Sequence, residues 1–280
     1  MRAALVKEFG PPSSLVVERV ADLTPGPGEV AIEVAAVSVN FPDVLVVEGT
    51  YQNLPPLPFS PGKEAAGRGT AVGAGVERVW VGDSVLAIIE HGGYAEQVVA
   101  PEGWVVHLPD SVSYTDAAGA GLVYCTAHLG LFRRGRLQVG ETALIKGAGG
   151  GVGTAGVQLA KAVGTRVIAV AKDEARAAVA RSFGAEVVLT SKPESLRADV
   201  LSANDGQGVD VCLESLGGDY RDRLPEVMRS ATDGVLDLMA DCSLDAAVSH
   251  VLPLNRAGEA LQKVSDGGVC GKVVLTTGLG

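Results

Sequence analysis

The apolar positions of this chain change their period once. Across residues 1–110 they fall in short, β-branched stretches at Ala3–Val6, Leu15–Arg19, Glu29–Val39, Gly67–Val72, Ser84–Ile89 and Ala95–Ala100. Within the third stretch Val30, Ile32 and Val34 alternate with polar or small residues, as in a half-buried strand. Pro11-Pro12, Pro25-Gly26-Pro27-Gly28, Gly82-Asp83 and His91-Gly92-Gly93 punctuate these stretches as turns. The pattern predicts a small all-β unit folded as a barrel. Ser113-x-x-Asp116 has the spacing of a capping box and predicts a helix running toward Arg134. From Thr142 onward, strand and helix patterns alternate. Strands are expected at Thr142–Lys146, Arg166–Ala171, Glu186–Leu189 and Val209–Glu214, with helices near 152–163 and 173–183. That alternation predicts a parallel sheet with helices on both faces. Beyond Glu214 the pattern gives a helix near Leu224–Ala240, a strand at Val248–Leu252, a helix near Asn255–Val264 and a last strand at Lys272–Thr276. It offers no fifth and sixth parallel strands of the kind that complete a doubly wound sheet.

The first of the parallel strands runs into Gly147-Ala148-Gly149-Gly150-Gly151-Val152-Gly153, and a helical pattern follows through Ala155 and Leu159. Strand, glycine turn and helix form the setting in which glycines signal dinucleotide binding. The chain must turn tightly, let its backbone approach a pyrophosphate and bring the helix close to the sheet. Free N–H groups at the helix start then receive the phosphate. Two registers fit, Gly151-x-Gly153-x-x-Gly156 and Ala148-x-Gly150-x-x-Gly153. The second places its first small residue directly after the strand and is preferred, which makes residues 148–153 the expected cofactor contacts.

Composition narrows the classes. With 280 residues, 47% hydrophobic and 37 glycines, the chain can form one large or two ordinary domains. The formal net charge of −10 disfavours nucleic acid, whose phosphates need clustered Lys and Arg. Cys125, Cys212, Cys242 and Cys270 are scattered without a paired spacing, which argues against structural zinc or a disulfide framework and for a reducing, cytoplasmic setting. No apolar run approaches the roughly 18 residues of a membrane span, and the first residues lack a signal peptide's apolar core.

Seven segments together carry a resemblance. They are Val39-Asn40-Phe41-Pro42-Asp43, Gly49-Thr50-Tyr51, Pro61–Gly67, Val81–Val85, Gly92–Glu96, the glycine turn and Gly271–Leu275. In combination the chain resembles the zinc-free quinone oxidoreductase, or zeta-crystallin-like, branch of the medium-chain dehydrogenase/reductase superfamily. The resemblance implies an α/β architecture. A GroES-like β-barrel domain would be built from residues 1–115 and 246–280, and a Rossmann-type doubly wound domain from 116–245, with a cleft between them. Set against that pattern, the Rossmann-type sheet is expected to be shortened, with strands five and six missing. The related zinc enzymes hold their metal with Cys, His and a second Cys or acid; the matching places here are Asn40, Lys63 and Leu122, so no metal is expected.

Without a Lewis acid, hydrogen-bond donors must polarise the substrate while hydride leaves a nicotinamide. The resemblance puts Asn40 and Tyr51 in the substrate pocket, with Tyr124 and Thr126 on a helix beside the nicotinamide. Asp43 and Glu64 fit scaffold ion pairs as well as functional roles, and the histidines have no evident acid partner. At the end of the second parallel strand, where an NAD enzyme presents an acid, stand Ala171 and Lys172, with Arg176 one turn on. Asp173 reads as a helix N-cap. The implied cofactor is NADPH, with Ser191 near its adenosine phosphate and Lys272 meeting cofactor phosphate. The implied activity is reduction of a quinone or α,β-unsaturated carbonyl. An enoyl-thioester reductase, or a nucleotide-binding crystallin-like or regulatory protein with little turnover, are the alternatives. The expected partner is a small molecule, with neither nucleic acid nor membrane, and the missing sixth strand argues against a homodimer built through it.

Overall fold

The computed structural model describes residues 1–190, 192, 194–214 and 235–279. The strands in chain order are β1 (Arg2–Leu5), β2 (Val16–Arg19), β3 (Glu29–Val39), β4 (Glu64–Val72), β5 (Ser84–Ile88), β6 (Gln97–Pro101), β7 (Val105–His107), β8 (Thr142–Lys146), β9 (Arg166–Val170), β10 (Val187–Leu189), β11 (Val211–Leu213), β12 (Val248–Pro253) and β13 (Lys272–Thr276). The helices are α1 (Phe41–Val47), α2 (Tyr114–His128), α3 (Gly151–Ala162), α4 (Glu174–Ser182), α5 (Leu196–Ala203) and α6 (Ala257–Ser265), and residues 235–240 are also helical.

Strand β3 organises the larger sheet. It pairs antiparallel with β4, β6 and β13, and the seven-stranded path reads β12-β13-β3-β4-β5-β7 with β6 also on β3. Almost every β3 residue is buried, Glu33 being the exposed exception, because neighbours cover both of its faces. Two register shifts against β4, at Ala31/Ile32 and Val34/Ala36, bend the strand as bulges do. Gly67 faces the second irregular stretch, where an added Cβ would lie 1.9 Å from the Glu33 carbonyl oxygen, so only glycine fits. Among the described residues the strand pairings of this domain form one branched sheet with β7 and β12 at its ends. The chain's last two strands lie in this sheet, β13 beside β3 and β12 parallel to β13.

The second sheet is parallel, with order β10-β9-β8-β11 among the described residues. All four strands were expected within a residue or two. The expectation that strands five and six are missing rests on residues 215–234, which lie outside the described residues. Helix α2 starts where expected, since the Ser113 side chain accepts from the Asp116 amide at 3.1 Å. It continues as a π-helical turn, Leu129–Arg134. Helices α1 and α5 were not anticipated. In α1, Pro42 stands in the first helical turn, where proline is at home. Helix α5 buries only Val200, too little for a readable apolar stripe.

One apolar core runs from Ala36, Ala66 and Leu86 of the large sheet through Ala117, Ala120 and Tyr124 of α2. It continues to Ala155 and Leu159 of α3, then to Ile145 and Val167 of the parallel sheet. Helix α2 therefore ties the two sheets together. No helix among the described residues is long and apolar enough to cross a membrane.

Candidate active site at the junction of the two sheets

Strand β8 ends at Lys146, and Gly147 takes a left-handed backbone (φ 65°) that turns the chain back. The Ala148 amide bonds to the Val170 carbonyl at 3.0 Å, and the Gly150 amide closes the turn on the Gly147 carbonyl at 2.9 Å. Helix α3 then opens with Gly150 as its N-cap. A Cβ on Gly153 would lie 2.1 Å from the Gly147 carbonyl oxygen, and one on Gly156 would meet the Leu213 side chain at 2.6 Å. The first excludes any side chain where the turn crosses the helix; the second presses α3 against β11. A Cβ on Gly150 would meet nothing nearer than 3.5 Å, so that side of the turn is open. Thr154 is the first residue whose amide bonds back, to Gly150 at 2.8 Å. The amides of Gly151, Val152 and Gly153 therefore form the orphan first turn of the helix. Open space and convergent N–H groups at a helix start fit a pyrophosphate.

The turn is docked on the large sheet. The Gly271 amide donates to the Gly149 carbonyl at 3.0 Å, and Gly150 and Gly271 form a parallel bridge. The next residue, Lys272, is 3% exposed. Its Nζ donates to Asn40 Oδ1 at 2.5 Å and to Ser38 Oγ at 3.3 Å, and lies 3.9 Å from Glu64 Oε1. Burial pulls the Lys272 ammonium below its usual range, while Glu64 and Asp43 pull the other way. The resemblance led us to expect this lysine on a cofactor phosphate. Instead its stem runs beside Gly151, where a Cβ would meet Lys272 Cδ at 2.8 Å, and its ammonium turns inward.

Asn40 departs from expectation in the same way. It is 5% exposed, and its amide nitrogen donates to Ser38 Oγ at 2.9 Å and Glu64 Oε1 at 3.0 Å. Both donor hydrogens are thus engaged within the protein. Glu64 also accepts from Ser38 Oγ and from the Leu122 amide, so it ties β4 to α2. A Cβ on Gly121 would strike Glu64 Oε2 at 2.4 Å, which explains the glycine there. Asp43 accepts from the Asn40 amide at 2.9 Å and from Tyr94 Oη at 3.2 Å. Burial pushes its carboxyl up to about 6 despite those bonds. Ser38 carried no sequence signal, because only the β3–β4–β13 register brings it to the cluster.

Tyr51 follows α1 and is half-buried against the large sheet's core. The Lys63 ammonium sits 4.7 Å from its ring centroid and donates to the Glu90 carbonyl at 3.0 Å. Among the described residues no three His, Cys, Asp or Glu side chains gather as a metal site. His107 does have an acid neighbour, Asp83 at 3.6 Å, but on the exposed rim of the large sheet.

At the end of β9, Ala171 is buried and Lys172 exposed. Asp173 caps α4, as its spacing predicts, by accepting from the Arg176 amide at 2.9 Å. Its other oxygen takes the Arg176 guanidinium, which also reaches the Gly267 and Val269 carbonyls. The Arg176 side chain covers Gly149, so it borders the glycine turn but holds its charge on Asp173. Tyr124 and Thr126 lie on different faces of α2. Tyr124 is 1% exposed and donates to the Asp245 carbonyl at 2.6 Å, as a core residue does. Thr126 is exposed and bonds the Leu122 carbonyl within its own helix at 2.7 Å. Ser191 lies outside the described residues.

A parallel sheet whose first strand runs into a glycine turn is thus docked, through Gly149, Gly150 and Gly271, on a second, mostly antiparallel sheet. Residues 26–110 match the alcohol dehydrogenase GroES-like domain family, and residues 151–236 match the zinc-binding dehydrogenase family. A quinone oxidoreductase-like protein 2 homolog from Nematostella vectensis is 36% identical over 221 residues. That match takes in 78% of this chain and 60% of the relative, so the chain spans about three fifths of its length. A crystal structure of a probable oxidoreductase from Mycobacterium abscessus is 31% identical, with TM-score 0.90, covering 99% of this chain and 98% of that one. A mycobacterial protein solved in complex with NADPH is 28% identical, with TM-score 0.89 and 99% of both chains covered. The chain belongs to the medium-chain dehydrogenase/reductase superfamily, in its zinc-free quinone oxidoreductase branch.

Proposed function

We propose that the chain is an NADPH-dependent reductase that delivers hydride to a quinone or an α,β-unsaturated carbonyl without a metal. The observation that carries this reading is the continuous link from the glycine turn to the polar cluster: Gly149 to Gly271, then Lys272 to Asn40. A cofactor whose pyrophosphate rests on the amides of Gly151, Val152 and Gly153 would have its reactive end directed toward that cluster. Residues 1–115 with 246–280 would then form the catalytic domain and 116–245 the cofactor domain. The bound nicotinamide would supply hydride. Conjugation in a quinone or enone already favours accepting it. Within the chain, Tyr51 is assigned the proton delivered to substrate oxygen, while Asn40 holds the floor of the site through Ser38, Glu64 and Lys272.

Preference for NADPH is supported by the end of β9. Asp173 is engaged by the Arg176 amide and guanidinium and is not offered to a ribose hydroxyl. Lys172 supplies exposed positive charge beside it.

The test is NADPH consumption with 1,4-benzoquinone or 9,10-phenanthrenequinone. Turnover is expected, and Tyr51→Phe should lower it on the order of a hundredfold while NADPH still binds. Tight NADPH binding without turnover on quinone, enone or enoyl-thioester would replace this reading with that of a nucleotide-binding protein.

A further inference from the structure

Lys63 has no role in that scheme, yet its placement is specific. Its side chain is 8% exposed, and its carboxylate neighbour, Glu90 Oε2 at 3.4 Å, belongs to a side chain that is 61% exposed. The ammonium is fixed by the Glu90 carbonyl at 3.0 Å and stands over the face of Tyr51, 4.7 Å from the ring centroid. Among the described residues, the other ionisable groups that feel Lys63 are His91, lowered first by burial and then by Lys63, and Asp43, which burial raises and Lys63 pulls back. Asp43 in turn is hydrogen-bonded by Tyr94 and feels Lys272 from the opposite side. A cation over a neutral ring is attracted by the ring's negative face. Over a phenolate the attraction is stronger, so the arrangement favours loss of the tyrosine proton.

We propose that Lys63 is a positioning residue whose ammonium, held over Tyr51, stabilises the phenolate left when Tyr51 protonates the reduced substrate oxygen. This rests on the reading of Tyr51 as proton donor. In that step the Tyr51 O–H bond breaks, an O–H bond forms on the substrate and the electron pair stays on the phenolate oxygen. Water then returns the proton to Tyr51, so no further oxidant or reductant is needed.

The test separates the two readings. Phenolate absorbance is followed against pH in the wild type, Lys63→Met, Lys63→Arg and Tyr51→Phe. The component that disappears in Tyr51→Phe reports Tyr51, because the other four tyrosines, Tyr94, Tyr114, Tyr124 and Tyr220, are present in both proteins and cancel in the difference. Lys63→Met should move that component up by about one pH unit, as loss of a nearby charge at intermediate dielectric requires, and Lys63→Arg should leave it within a few tenths. Quinone turnover should fall several-fold in Lys63→Met with KM nearly unchanged, and Lys63→Met should have no further effect on kcat in a Tyr51→Phe background. An unmoved Tyr51 midpoint in a folded Lys63→Met, judged by circular dichroism, overturns the role of Lys63. Wild-type turnover in Tyr51→Phe overturns the proton-donor reading instead.

Discussion

The buried Lys272–Glu64 pair gives the sharpest test of how the two sheets are joined. Lys272 Nζ lies 3.9 Å from Glu64 Oε1, with the residues 3% and 0% exposed. At an effective dielectric near 20 their attraction is about 4 kcal/mol. Taking both charges out of water offsets most of this, so the intact pair adds little net stability. Breaking it is another matter. Lys272→Met leaves Glu64 buried with only the neutral donors Ser38, Asn40 and the Leu122 amide. It should cost about 3–5 kcal/mol, which for a chain of this size corresponds to a drop in Tm of roughly 10 °C. Adding Glu64→Gln removes the stranded charge and should restore about half of that loss. Urea unfolding of the wild type, both single variants and the double variant gives the coupling directly. Strictly additive effects, or a loss below about 1 kcal/mol for Lys272→Met, would refute the pairing as the joint between β13 and β4.

Three other expectations follow from the same geometry. Burial holds the Asp43 carboxyl near 6 in the folded chain against 3.8 for the free group. The folded state therefore binds the proton more tightly, and stability should fall by up to about 3 kcal/mol as pH rises from about 4 to 6, then level off. Asp43→Asn should abolish that slope, and identical pH dependence of the urea midpoint in both proteins would sink the assignment. Gly153→Ala drives a Cβ to 2.1 Å from the Gly147 carbonyl oxygen and 2.6 Å from Ala148 Cα, backbone that cannot swing away. It should cost about 1–3 kcal/mol of stability and more than tenfold in NADPH affinity, whereas Gly103→Ala, with nothing within 4 Å, serves as the silent control. Lys172→Ala should narrow the preference for NADPH over NADH by about tenfold; equal dissociation constants in the wild type, by fluorescence titration, would remove the basis for that preference.

What the sequence determined by itself is local. The β-branched run Glu29–Val39 and the compact apolar run Lys272–Thr276 marked those strands at their observed ends, although β3 proved buried on both faces and not half-buried as the alternation of Val30, Ile32 and Val34 implied. The capping signals of Ser113 and Asp173 and the glycine turn were equally legible, since each depends on residues within a few positions. The tertiary structure alone decided what the polar side chains do. Lys272 reaches Asn40 across 232 residues of chain only because Val273 pairs with Val39 and Gly271 docks on the glycine turn. That register turns a lysine read as a phosphate ligand inward, and occupies the amide of an asparagine read as a substrate donor. It also gathers Ser38 and Glu64 into one buried cluster with them. Periodicity specifies which face a residue takes. Its hydrogen-bond partner is set by strand register and by the cost of leaving a buried polar group unpaired, and both belong to the assembled fold.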